Sequence, residues 1–377
     1  MRIAIPAETA ADETRVAATP ATVKNYVDAG HAVVVQKGAG EKSFISDAEY
    51  EAAGASIAGT ASDAVQDADV VLTVRRPDDA LITTMKKGAV LIGMLDPWTD
   101  GGFIEALNAA GITAFSMELL PRITRAQAMD VLSSQASLAG YKAVIEAANL
   151  YPKIFPLMMT AAGSIPPAKV FVMGAGVAGL QAIATAHRLG AAVSATDVRP
   201  EAGEQVASLG AKFIFLEELA AAGEGGYARE LTEEQKKLQA ELVANHIKDM
   251  DVVITTALIP GRPAPVLVTQ EMVESMQPGS IIVDLAVERG GNCPLSRPGE
   301  VVEHKGVRIV GYTNMAGRVP GNASAMYANN LRNFFKLLDG GEEGLKIDTE
   351  DEIIAGTLLT RDGELVNERI REMLGAG

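Results

Sequence analysis

Hydrophobic and polar positions alternate in blocks along nearly the whole chain. Residues 2–5, 31–35, 70–74, 89–95 and 113–117 are short runs rich in Val, Ile, Leu and Ala, and they predict strands. The stretches 20–29, 47–53, 62–68 and 103–110 lie between them and predict helices, with Pro20 at one start and Gly30 and Gly111 just past two ends. A second series follows, with strands at 169–173, 192–196, 212–215, 251–256, 280–284 and 307–311 and helices at 177–188 and 204–209. Strands apolar on both faces, alternating with helices, predict parallel sheets covered on both sides.

Two long stretches join the series. Residues 125–151 contain no proline, are dense in Ala, Leu and Gln, and predict one long helix leading out of the first series. Residues 157–167 hold a glycine and two prolines and read as a connector. Residues 323–337 predict a second long helix that returns the chain to the first domain, followed by a tail with a strand-like run at 356–360. The expected fold class is α/β, with two doubly wound Rossmann-like parallel-sheet domains joined by long helices. The first domain is discontinuous, 1–133 plus 326–377, and the second spans 134–325.

Composition narrows the function. A chain of 377 residues suffices for two domains with large cores. Its formal charge of −15 argues against nucleic-acid binding and against docking on anionic lipid. Cys293 is the only cysteine, so no intrachain disulfide forms and a reducing compartment fits. The four histidines show no metal-ligand spacing. The start MRIAIPAE does not read as a signal peptide, and no apolar run reaches the ~18 residues of a membrane span.

The chemistry concentrates at 169–199. A strand is followed by Gly174, Gly176 and Gly179 in the spacing G-x-G-x-x-G, then a helix, a second strand and Asp197. Gly174 allows a tight turn, Gly176 leaves room for a pyrophosphate, and Gly179 lets the helix pack close. The helix start supplies free amides and a positive dipole end. Asp197 stands where an acid takes ribose hydroxyls and repels a 2′-phosphate, favouring NAD(H), while Arg199 tempers that preference. The cofactor-binding expectation covers Gly174, Ala175, Gly176, Val177, Ala178, Gly179, Asp197, Val198 and Arg199. It extends to the strand-end residues Thr256, Ala257, Leu258 and Asp284, because ligands of doubly wound sheets sit beyond the carboxyl ends of strands. Arg75, Asp96, Glu118, Thr255 and Asn314 share that placement.

Two further groups stand out. Arg122, Gln127, Asp130 and Ser133 give a cation, an amide, a carboxylate and a hydroxyl, with Asp130 and Ser133 on one helix face. Such a set offers donors and acceptors for a nicotinamide carboxamide, or else is ordinary helix-start polarity with an Arg–Asp pair. Tyr227 lies in a glycine-preceded, highly charged stretch, either a solvated helical excursion or a lid over the cofactor.

RIAIPAE at the start, RVAATP at 15–20, GAGVAGLQAIATAHRLGA, TTALIPGRPAP at 255–265 and DLAVERGGNCP at 284–294 resemble the alanine dehydrogenase/transhydrogenase α-subunit superfamily. Within it, MELLPRITRAQAMDVLSSQASLAGY at 117–141 and GGYARE at 225–230 look like the NAD(H)-binding component of proton-translocating transhydrogenase. The alanine dehydrogenases of the superfamily carry a catalytic lysine and histidine where Arg75 and Asp96 stand here. Arginine cannot donate a proton at neutral pH, so the amino-acid chemistry looks lost. The resemblance implies NAD(H) bound by this chain and NADP(H) bound by a partner domain, with direct Si/Re-type hydride transfer coupled to proton translocation. It also implies that Arg122, Asp130 and Ser133 orient the nicotinamide, Gln127 reaches toward the partner, and Tyr227 closes the site. The implied assembly is a homodimer with a membrane-spanning subunit and an NADP(H)-binding subunit. The chain itself would be cytoplasmic, peripheral to the inner membrane, and would resemble a separate α1-type subunit or an excised piece of a longer chain. Two other readings stand beside this one, an alanine-dehydrogenase-like enzyme and a non-catalytic NAD(H)-binding regulatory protein.

Overall fold

A computed structural model describes residues 1–98, 100–216, 233–259 and 261–375. The chain divides into two compact units, Met1–Gln135 with Gly317–Gly377, and Ala136–Ala316.

The first unit is built on β1 (Arg2–Ile5), β2 (Ala32–Gln36), β3 (Ser56–Ala58), β4 (Val70–Arg75), β5 (Val90–Met94) and β6 (Thr113–Ser116), all parallel. The late strands β16 (Leu358–Arg361) and β17 (Glu364–Leu365) add antiparallel beyond β6, giving the order β17-β16-β6-β5-β4-β1-β2-β3. β1 pairs with β2 on one side (Ile3 opposite Val33) and with β4 on the other (Ile3 opposite Val70). The strand order therefore reverses at the β1/β4 crevice. Successive side chains point to opposite faces. Ile3, Ile5, Leu72 and Val74 meet Tyr327, Leu331 and Phe334 of the helix Pro320–Leu338. Ala4, Val71 and Leu91 meet Ile82, Ile104 and Leu107 on the other face.

The second unit opens within the helix Val131–Leu150 and continues into an exposed hairpin, β7 (Met158–Thr160) and β8 (Gly163–Ile165), where the sequence predicts only a connector. Gly163 at φ 134° turns it. The main sheet comprises β9 (Lys169–Met173), β10 (Ala192–Thr196), β11 (Lys212–Phe213), β12 (Val252–Thr255), β13 (Ile281–Asp284), β14 (Val301–His304) and β15 (Val307–Val310). Its order is β11-β10-β9-β12-β13-β15-β14, parallel except for edge strand β14, and it reverses at the β9/β12 crevice. Buried valines and isoleucines of β9, β12 and β13 fill both faces.

The predicted continuous helix over 125–151 is broken. Residues Thr124–Met129 form a 3-10 segment, Asp130 is extended (φ −73°, ψ 93°), and the α-helix runs Val131–Leu150. The cause is local competition. Asp130 accepts the Ser133 amide at 2.9 Å and the Ser133 hydroxyl at 2.5 Å, which caps a helix rather than continuing one.

Candidate functional site

The turn after β9 behaves as its glycines require. Gly174 takes φ 107°, which disfavours a side chain, and its amide donates to Thr196 O at 2.8 Å. A Cβ on Gly179 would collide with the Gly174 carbonyl, so only glycine lets the helix Val177–Arg188 start this close to the strand. A Cβ on Gly176 would meet nothing within 4 Å. Gly176 is also the N-cap of that helix and offers it no side-chain cap. The turn is thus closed where the backbone packs and open where a pyrophosphate approaches, so the residues present fit a dinucleotide. Gly140, which carries no motif signal, serves the same close packing: a Cβ there would strike the Ala178 backbone.

A cavity of about 570 Å³ lies beyond the carboxyl ends of β9, β10 and β12. Gly174, Gly176, Asp197 and Thr256 form its polar side, and Phe215, Val243, Val266 and Met272 line its apolar side. The apolar residues come from separate segments and carry no shared sequence signal. Gln239, also on the wall, ties its helix to the sheet by donating to Thr196 Oγ1 and Ile214 O, both at 3.2 Å.

Asp197 directly follows β10, with its side chain 6% exposed. Its Oδ2 accepts the Ala175 amide at 2.7 Å, and Arg199 pairs with it through Nε at 2.9 Å. Burial opposes the carboxylate, but the Arg199 side chain and the Ala175 and Arg199 amides outweigh it and hold the pKa below its ordinary value. Val198, between them, is 81% exposed.

Thr256 clamps the turn, its hydroxyl donating to Gly174 O at 3.2 Å. Ala257 is held by buried Asn292, whose Oδ1 accepts the Ala257 amide and whose Nδ2 donates to the Ala257 and Pro265 carbonyls. Leu258 is half exposed at the rim. Asp284, expected at the cofactor, turns instead into its own loop. It is fully buried, accepts the Ala286, Asn292 and Cys293 amides and the Ser296 hydroxyl, and does not line the cavity. A strand-end position fixes where the carboxylate starts, and the following Gly290-Gly291 turn lets the loop fold over it. Cys293 is buried there, and burial pushes its thiol pKa up, as befits an inert thiol.

The segment with Arg122, Gln127, Asp130 and Ser133 lies in the first unit. Arg122 and Gln127 are exposed, and Asp130 and Ser133 are half-buried and bonded to each other. The helix Pro320–Leu338 fixes the segment. Asn330 donates to Ala128 O at 2.9 Å and accepts from Ser134 Oγ at 2.7 Å. Arg125 adds a bidentate pair to Asp351 at 2.7 and 2.8 Å.

Carboxylates dominate the first unit's rim, and of them sequence reasoning singled out Glu118 but missed Glu8 and Glu13. Glu13, fully buried, holds Arg15 through both oxygens at 2.7 Å and Arg75 Nε at 2.8 Å. Burial would raise the Glu13 carboxyl, but the two guanidiniums hold it at about 2. Arg15 also donates to Gln135 Oε1 at 2.9 Å. Glu8 accepts the Val74 amide at 2.6 Å and the Arg75 amide at 3.0 Å, and burial lifts its pKa to about 7 against those bonds. Glu118 likewise accepts the Leu95 and Asp96 amides, and burial raises its pKa. Tyr227 and the rest of 225–230 lie outside the described residues. Among the described residues no cluster suits a metal ion, and no helix is long and apolar enough to cross a membrane.

Two doubly wound units, one with an open glycine turn and an acid at the end of the next strand, define a Rossmann-type nucleotide-binding protein. Family models match in tandem: Alanine dehydrogenase/PNT, N-terminal domain, over residues 4–139, and Alanine dehydrogenase/PNT, C-terminal domain, over 143–368. An NAD(P) transhydrogenase subunit alpha polypeptide of Rhodospirillum rubrum is 53% identical, over 97% of this chain and 98% of that one. The alanine dehydrogenase of Mycolicibacterium smegmatis is 32% identical, over 99% and 97%. A solved transhydrogenase from Sinorhizobium meliloti matches with a TM-score of 0.90 at 54% identity, covering 97% of this chain and 100% of that one. The chain belongs to the alanine dehydrogenase/PNT family, among homologues of the transhydrogenase α subunit.

Proposed function

We propose that this chain is the NAD(H)-binding component of a proton-translocating transhydrogenase and turns over only with partner subunits. The observation that carries the reading is the state of Arg15. Its guanidinium is held by Glu13 and Gln135, and Arg75 is drawn to the same Glu13. Arginines held this way cannot give up a proton for imino-acid reduction. The second unit keeps a cavity of about 570 Å³ beside its glycine turn and Asp197. Positioning without acid–base chemistry is what direct hydride transfer between two nicotinamides requires.

Bound NAD(H) supplies the hydride at its nicotinamide C4. The turn Gly174–Gly179 takes the pyrophosphate, Asp197 the adenosine ribose, and Thr256, Ala257 and Leu258 line the approach. Arg122, Asp130 and Ser133 orient the nicotinamide, Gln127 reaches toward the NADP(H)-bearing partner, and Tyr227 closes the site. The chain works as a homodimer on the cytoplasmic side, peripheral to the membrane. A membrane-spanning partner couples the reaction to proton flow.

The test adds an NADP(H)-loaded partner domain to the purified chain and follows nicotinamide absorbance. Hydride transfer is the expected result, and Gln127→Asn should slow it while leaving NADH affinity intact. Steady NADH oxidation by the chain alone with pyruvate and ammonium would overturn the reading in favour of an amino-acid dehydrogenase.

A further inference from the structure

Asp197 has no acceptor position left for a ribose. A carboxylate offers about four lone-pair sites. Oδ1 accepts from the Arg199 amide and from Arg199 Nε, both at 2.9 Å. Oδ2 accepts from the Ala175 amide at 2.7 Å and from Arg199 Nη2 at 3.1 Å. Two of these donors are backbone and two belong to one guanidinium. The backbone donors are fixed by the turn. The guanidinium sits on a side chain 51% exposed, and its other contact, Nη2 to Ala175 O, is long at 3.4 Å.

We propose that Arg199 competes with the adenosine ribose for Asp197 and thereby sets the NAD(H)/NADP(H) preference of the site. The inference rests on the NAD(H) reading above. A 2′,3′-diol brings two O–H donors, enough to replace the two guanidinium bonds one for one. Ala175 and the Arg199 amide keep the carboxylate aimed during the exchange. The displaced guanidinium then lies at the cavity rim, two residues from the acid, where it can meet a 2′-phosphate. Arg199 therefore weakens NADH by competition and softens the rejection of NADPH by charge. It acts through Asp197 as a specificity-determining residue, not a catalytic one.

The test measures dissociation constants of NADH, NADPH and 2′-deoxy-NADH on the full chain. Variants are Arg199→Ala, Arg199→Lys and Asp197→Ala. In R199A, NADH should tighten about two- to fivefold, the worth of a partly exposed ion pair, and NADPH should weaken by a similar factor. The 2′-deoxy cofactor, with one donor fewer, should gain less. R199K, lacking the planar fork, should fall between R199A and the native chain. In an Asp197→Ala background the effect of R199A on NADH should vanish. A purely structural role for Arg199 would weaken all three cofactors alike. That result, or an unchanged NADH/NADPH ratio in R199A, overturns the inference. If the native chain and every variant fail to bind NADH at all, the NAD(H) reading itself falls, and the inference with it.

Discussion

The two sheets reverse strand order at matching places, the β1/β4 crevice in the first unit and the β9/β12 crevice in the second, yet the turns that line them carry opposite chemistry. After β1 the chain reads Pro6-Ala7-Glu8, and the Glu8 carboxylate takes the Val74 and Arg75 amides at the end of β4. After β9 it reads Gly174-Ala175-Gly176, and the space in front of Gly176 is open. The first crevice carries its own carboxyl group. The second leaves a place for a ligand's anion at a helix start. A doubly wound topology thus provides a site, and the turn residues set the chemistry of what it can take. The acids differ in how their arginines are held: Glu13 pairs with a buried Arg15, whereas Asp197 pairs with an Arg199 whose side chain is half exposed.

The contrast is broken most severely at Gly176. A valine there fits the backbone, since Gly176 sits at φ −78°, but fills the open space. Gly176→Val should weaken NADH binding at least about 100-fold, because a displaced pyrophosphate forfeits charge-assisted hydrogen bonds of ~1.5–3 kcal/mol each. Unfolding stability should fall by no more than about 1 kcal/mol, the scale of a changed N-cap residue. Calorimetric titration and urea unfolding read the two effects.

Glu13→Gln attacks the opposite crevice. It leaves Arg15 buried without a charged partner and should cost the first unit about 3 kcal/mol in urea unfolding, with NADH affinity unchanged. The Glu13 carboxyl is held at about 2 against an ordinary 4.5, so its contribution is present above pH 4.5 and lost as pH falls toward 2.

Glu8→Gln gives an effect of opposite sign. Glu8 titrates at about 7 in the folded chain against an ordinary 4.5. Its contribution is full below pH 4.5 and lost as pH rises to about 7. Native stability relative to the glutamine variant should therefore decline over that interval, as urea midpoints at stepped pH would record. A flat difference would mean that Glu8 does not change protonation there.

The glycine turn and Asp197 are legible in the sequence because their logic is local: strand, turn, helix, strand and acid follow within 31 residues. Features that depend on distant partners are not. Glu13 reads as loop polarity until Arg75, 62 positions away, folds against it. Asp130 reads as a mid-helix residue because the run 125–151 has high helix propensity. Its side chain instead bonds Ser133 and sets a new helix start. Asp284 shows the limit of strand-end reasoning. Position places it at the rim, and the loop 286–296 turns it inward. The apolar cavity wall of Phe215, Val243 and Met272 joins three segments with no common motif.

The central claim is that one crevice takes a dinucleotide and the other does not. Titrating NADH into the purified chain and counting molecules bound per chain tests it directly, with Gly176→Val as the control. The account requires one NADH per chain in the native protein and none in the variant at the same concentrations. A stoichiometry of two, or binding that survives Gly176→Val, would contradict it.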